Sequence, residues 1–228
     1  MSRPRPRSAA AFVEWLDRQN KWLVALAATA LHGVLYLIGN HLPLFPAREL
    51  PMTAADRAIP FIPQTAWIYW SDYGLVVLAF QVCRGRGSTA RFVAAIVTLV
   101  TTGVLIHLLF PTVYPRELFP IDASVDPLTR TALEQFRRVD TPASCLPSLH
   151  VAACYLATFA AWSHASRARF ALLAWATLVS ISTLTLKQHY LIDLATGIAL
   201  AAGIWVLFYR PGPFSPSAST STSREDRI

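Results

Sequence analysis

Charge is what this sequence has least of. Only 14% of its 228 residues are Asp, Glu, Lys or Arg, against about 25% in soluble globular domains, which excludes an ordinary water-soluble enzyme. Three cysteines (Cys83, Cys145 and Cys154) are odd in number and lack metal-ligand spacing, so no disulfide framework or zinc motif follows. No carboxylate cluster exists to hold a cation, and neither a metal nor a cofactor is expected. Lysine is nearly absent, with Lys21 and Lys187 set among many arginines, which fits a GC-rich genome. Apolar residues, by contrast, make up 54% of the chain and mean hydropathy is +0.41, which excludes a disordered protein. A bilayer-spanning helix takes about 20 apolar residues, so six would use roughly 120. The fold class expected is therefore all-α: a polytopic membrane bundle with short surface helices in its outer loops.

Six apolar stretches lie near 22–39, 67–83, 92–110, 149–163, 170–186 and 192–209. They define a membrane domain over 22–209, preceded by a cytoplasmic segment (1–21) and followed by a Pro- and Ser/Thr-rich tail (210–228) that reads as disordered. In the first segment Phe12, Trp15 and Leu16 fall at i, i+3 and i+4. That pattern fits a short helix on the membrane surface or an extension of the first span. The net charge of +7 is distributed between apolar blocks, which points to the bilayer rather than to nucleic acid. Thirteen of the twenty Lys and Arg residues fall in segments sharing the side of the N-terminus, and most of these hug the span ends. The positive-inside rule puts both termini in the cytoplasm. For a bacterial chain this means the inner membrane, with the opposite face periplasmic.

Two long outer segments remain. Residues 40–66 hold five prolines, which forbids one continuous helix. Residues 111–148 contain Asp126-Pro127, a helix N-cap followed by proline at the first helical position. The helix it starts is expected to rest on the bundle mouth. Arg137 and Arg138 read as solvated charge, and His32, His41, His107 and His164 as packing or interface residues.

Ionisable groups near membrane depth are costly and invite a functional reading. The topology brings Arg116, His150, Lys187, His189 and Asp193 to one membrane face. His189 and Asp193 are four apart, so on a helix they share a face. The carboxylate can then hold one ring nitrogen and leave the other free to attack. Gly197, a further turn along, permits close helix packing. Ser148 caps the helix that His150 opens, and its unpaired amides make an anion site. Arg116 suits bidentate phosphate contact. Lys187 is either a second phosphate contact or an interfacial anchor, and Cys145 has no evident activating base.

These residues resemble the type 2 phosphatidic acid phosphatase superfamily, whose signatures are Lys-x6-Arg-Pro, Pro-Ser-x-His and Ser-Arg-x5-His-x3-Asp. Pro147-Ser148-Leu149-His150 matches the second in full. Ser182, His189 and Asp193 match the third, with Thr183 where Arg is expected. The first is reduced to Pro115-Arg116, with Leu109 at the Lys position and Glu117 at that of Pro. Ser-Leu-His-Val-Ala and Lys-Gln-His-Tyr-x-x-Asp are similar to the branch that contains inositol phosphorylceramide synthases, enzymes of sphingolipid metabolism.

The resemblance implies a six-helix core and an integral membrane lipid phosphatase or phosphotransferase. His189, oriented by Asp193, would form a phosphohistidine, and His150 would shuttle the proton. Arg116, Ser148 and Lys187 would hold the phosphate. The acceptor is water or an alcohol such as inositol. A small transporter, or a silent membrane subunit, is the alternative from another class.

Overall fold

The computed structural model describes residues 7–140 and 143–210. The expected tail (210–228) thus falls outside the described residues except for Arg210, as do the first six residues. The chain is mostly helical, and four helices are long and apolar enough to cross a membrane: α2 (Lys21–His41), α6 (Ser88–Leu109), α9 (Ala168–Thr185) and α10 (Leu191–Tyr209). α8 (Leu149–Ser163) is apolar but has 15 residues. The expected stretch at 67–83 is divided at Ser71 into α4 (Ala66–Trp70) and α5 (Asp72–Val82). Ser71 Oγ donates to the Ile68 carbonyl and accepts from Trp175 Nε1 at 2.7 Å, which fixes the break against α9.

The amphipathic pattern before the first span is a separate helix, α1 (Arg7–Arg18). Asn20 ends the run by capping α2, its side chain accepting from Trp22 N at 2.9 Å. At this end of the bundle the Glu14–Arg86 and Asp17–Gly87 contacts tie α1 to the turn before α6. The other end is covered by the two long loops. There α3 (Ala54–Ala58) is started by a Thr53–Asp56 capping box. α7 (Pro127–Val139) begins as expected at Asp126, which accepts from Thr129 N at 2.9 Å. Two short parallel strands, β1 (Arg48–Glu49) and β2 (Thr112–Val113), and a parallel bridge from Thr112 to Ser144 depart from an all-α chain. They pin one loop to the other.

α8 is the centre of the bundle, packed against α5, α6, α9 and α10. Its side chains are small where neighbours press hardest: Ala152, Ala153, Ala157, Ala160 and Ala161 are all buried, which lets backbones approach closely. Two glycines on the flanking helices do the same. A Cβ at Gly197 would come within 2.6 Å of the Ser148 carbonyl oxygen, and one at Gly103 within 2.3 Å of Leu149 Cδ2. The first turn of α8 is thereby clamped between α6 and α10. Outward faces carry Leu23, Phe170, Leu178, Ile192 and Leu207 in the open, the pattern expected of helices solvated by hydrocarbon.

Candidate active site

The starts of α5, α8 and α10 and the end of α6 meet where the long loops close over the bundle. The geometry is easiest to build from α8. Ser148 caps it, accepting from Val151 N at 3.4 Å, and its own N–H donates to the Asp193 carbonyl at 3.1 Å. The bond joins the start of α8 to the start of α10. His107, expected to be a packing residue, reaches across from α6 to the Pro147 carbonyl through Nε2 at 3.0 Å and steadies the same turn.

His150 is held at both ring nitrogens. Nδ1 lies 2.7 Å from Asp72 Oδ2 and Nε2 lies 2.6 Å from the Tyr69 hydroxyl. With the carboxylate accepting from Nδ1–H, Nε2 is left to accept from the phenol. Tyr36 and Tyr73 pack edge-on against the same ring. Neither Asp72 nor Tyr69 was singled out from sequence. The signal for Asp72 was available, because it is an ionisable residue inside an apolar stretch.

His189 differs. It lies in the turn before α10, two residues short of the helix, so a shared helical face is not what brings it to Asp193. The pair forms because Asp193, in the first helical turn, reaches back: its Oδ2 accepts from Tyr190 N at 2.9 Å and from His189 Nδ1 at 3.1 Å. A carboxylate at this position also suits the helix dipole. The other nitrogen, Nε2, has no hydrogen-bond partner among the described residues. The two histidine rings are 6.4 Å apart, centre to centre.

Arg116 is buried in an ion pair. Its Nη2 donates to Asp140 Oδ2 at 2.6 Å and its Nη1 to the Asp140 carbonyl at 2.7 Å. Tyr36 and Asn40 hydrogen-bond the other carboxylate oxygen. Burial alone would weaken the guanidinium's hold on its proton, but the Asp140 charge and hydrogen bond raise it above its ordinary value. Arg116 therefore stays cationic at any working pH. Nε is buried with no partner, a donor left over for a ligand. Asp140 ends α7, whose Leu133 and Phe136 pack on the Tyr69 and Leu186 cluster. The helix thus rests on the bundle mouth as expected. Arg137, expected to be solvated, is half-buried, donating to the Phe119 carbonyl at 3.0 Å and lying over the Phe61 ring.

Lys187 points elsewhere. It ends α9 with φ of 57°, a left-handed position usually given to glycine. Its Nζ donates to the carbonyls of Asp56 (3.0 Å) and Ile59 (2.5 Å) and sits over the Phe119 ring. Burial lowers its proton affinity, and the Asp56 charge works against that shift. The ammonium is thereby occupied in stapling the 53–59 segment over the turn that carries His189. Thr183, where the family pattern has Arg, turns its hydroxyl back to the Ser180 carbonyl at 2.7 Å. Among the described residues, one group of three ligand atoms of metal-binding type, from Cys145, His189 and Asp193, lies within 4.8 Å of one another.

Apolar helices with a histidine- and arginine-bearing site at one end define an integral membrane protein. Residues 60–207 match the family described as the PAP2 superfamily, and the chain belongs to it. That is the superfamily of the type 2 phosphatidic acid phosphatases, which points to phosphatase or phosphotransferase chemistry on lipid phosphates. The chain has no match among curated proteins or among solved structures.

Proposed function

We propose that the protein is a membrane lipid phosphatase or phosphotransferase working through a phosphohistidine on His189. The observation that carries this reading is the pairing of two imidazoles 6.4 Å apart, each with its own carboxylate and only one with an open nitrogen. His189 Nε2 attacks phosphorus, and Asp193 stabilises the charge that develops on the ring. His150 enters the step as the imidazolium, gives its Nε2 proton to the departing alkoxide and later takes one from the incoming acceptor, with Asp72 holding its other nitrogen. Arg116 and the amides at the start of α8 stabilise the equatorial oxygens. Ser148 contributes by capping that turn. Lys187 acts as a positioning residue, through the turn it anchors.

Six spans, with α4–α5 and α8 completing the four long ones, put both termini on the cytoplasmic side and the site on the opposite face, periplasmic in a bacterial inner membrane. An apolar groove of about 630 Å³, with Leu109, Phe110 and Leu146 among its lining and Arg48 at its rim, supports a lipid chain as the group carried by the phosphate. Leu146 leads directly into the Pro147-Ser148 turn. Water and an alcohol such as inositol would use the same two histidines, and the likeness to the inositol phosphorylceramide synthase branch favours the alcohol. Phosphate release and headgroup transfer from lipid phosphates in mixed micelles test the reading. Wild-type protein is expected to turn over and to leave acid-labile label on His189. Equal turnover in wild type, His189→Ala and His150→Ala would end it.

A further inference from the structure

Cys145 takes no part in the chemistry proposed above, yet it stands against the centre of it. Its thiol is buried among Tyr114 and Tyr190 and lies 3.6 Å from the Gln188 carbonyl. Its sulfur, a ring nitrogen of His189 and a carboxylate oxygen of Asp193 are mutually within 4.8 Å, and among the described residues no other three such ligands gather so closely. Asp193 adds a second, independent sign. It is fully buried, and its Oδ1 has no hydrogen-bond partner, although an uncompensated carboxylate oxygen away from water is costly.

We propose that Cys145, His189 and Asp193 form an inhibitory site for a borderline-soft divalent cation of the Zn²⁺ type. Tetrahedral zinc, with bonds of about 2.0–2.3 Å, sets its ligand atoms roughly 3.3–3.6 Å apart. His189 Nδ1 and Asp193 Oδ2 are already 3.1 Å apart and all three ligand atoms lie within 4.8 Å of one another, so closure onto either carboxylate oxygen requires movements of about an ångström. One thiolate, one imidazole and one carboxylate suit zinc or cobalt rather than magnesium or calcium. A metal–sulfur bond forms as the thiol proton leaves to solvent, with no change in oxidation state. The fourth coordination position remains for water or a phosphate oxygen.

Inhibition follows whichever ring nitrogen is taken. A metal on Nε2 occupies the attacking lone pair, and one on Nδ1 displaces the hydrogen bond to Asp193. The inhibitory part of the proposal rests on His189 being the nucleophile; the binding part does not.

The two are separated by a pair of measurements on the full-length protein in detergent. Cobalt(II) titration is expected to give a cobalt–thiolate charge-transfer absorption saturating at one ion per chain. Cys145→Ser should abolish it, and Asp193→Asn should weaken binding. Zn²⁺ should inhibit turnover of the wild type, and Cys145→Ser should need at least about tenfold more Zn²⁺ while its metal-free rate stays that of the wild type. A wild type with no thiolate band, or a band of equal strength in Cys145→Ser, overturns the site. A thiolate band that depends on Cys145, with Zn²⁺ inhibition identical in both proteins, overturns the inhibitory role alone. Absence of any turnover would count against the proposed function and leave the optical result standing.

Discussion

The two histidine–carboxylate pairs at the mouth of the bundle are made of the same groups and built in opposite ways. His189 and Asp193 are four residues apart, joined by a helix start that points a carboxylate back at the turn before it. His150 and Asp72 are 78 residues apart, on α8 and α5. The first pair keeps a ring nitrogen open, whereas the second has both nitrogens engaged, one of them by Tyr69. An open nitrogen suits a nucleophile that must meet phosphorus. A nitrogen already in a hydrogen bond suits a group that passes a proton along and must be held in one tautomer. The environment, not the residue type, separates the roles proposed for the two rings.

The largest effects should come from the rings. His189→Ala should lower kcat by about 10⁴ or more and abolish labelling, while His150→Ala should cost about 10²–10⁴ and leave labelling by an activated substrate intact. Label found on His150 would invert the comparison. The carboxylates sharpen it. Asp193→Asn and Asp72→Asn should each cost about 10–100-fold in kcat. Only the first should reduce trapping of the intermediate, as measured by the label retained after an acid-free quench.

Next comes Arg116 with its Asp140 partner. Arg116→Lys should raise KM or lower kcat/KM about tenfold, because an ammonium cannot keep the two-point contact with Asp140 and still offer a planar donor to phosphate. Asp140→Asn should produce a similar loss without touching the histidines.

Packing effects are smaller. Gly197→Ala forces a methyl group against the Ser148 carbonyl and should destabilise by about 1–3 kcal/mol, read from thermal unfolding in detergent. Its activity should fall with the fraction folded, unless the α8 turn itself shifts, in which case kcat falls further.

The smallest effect concerns the staple behind the local pair. Although burial pushes the Asp56 carboxyl up, hydrogen bonds from the Thr53 hydroxyl and from the Leu191 and Thr53 amides hold it below its ordinary value. A depressed folded value means that the ionised form stabilises the fold above the usual carboxylate range. That contribution is lost as pH falls through the folded value. The stability gap between wild type and Asp56→Asn should therefore be open at pH 7 and shrink on acidification below about pH 4. A gap that widened toward acid would show that the Asp56 anion does not tie down the start of α10.

What could be read from the chain alone was local. Apolar stretches, the Asp126 and Ser148 neighbourhoods, Gly197 and the His189–Asp193 spacing all depend on residues within a turn or two of each other. Backbone geometry relates such positions without reference to the rest of the fold. Tertiary structure alone decided that Asp72 and Tyr69 hold His150, that Asp140 holds Arg116, and that Lys187 donates to the Asp56 and Ile59 carbonyls. Those contacts join residues 24 to 131 positions apart. They depend on how far each helix is rotated and tilted against its neighbours. The small residues along α8 and the glycines facing it set that rotation collectively, so no single stretch of sequence carries the information.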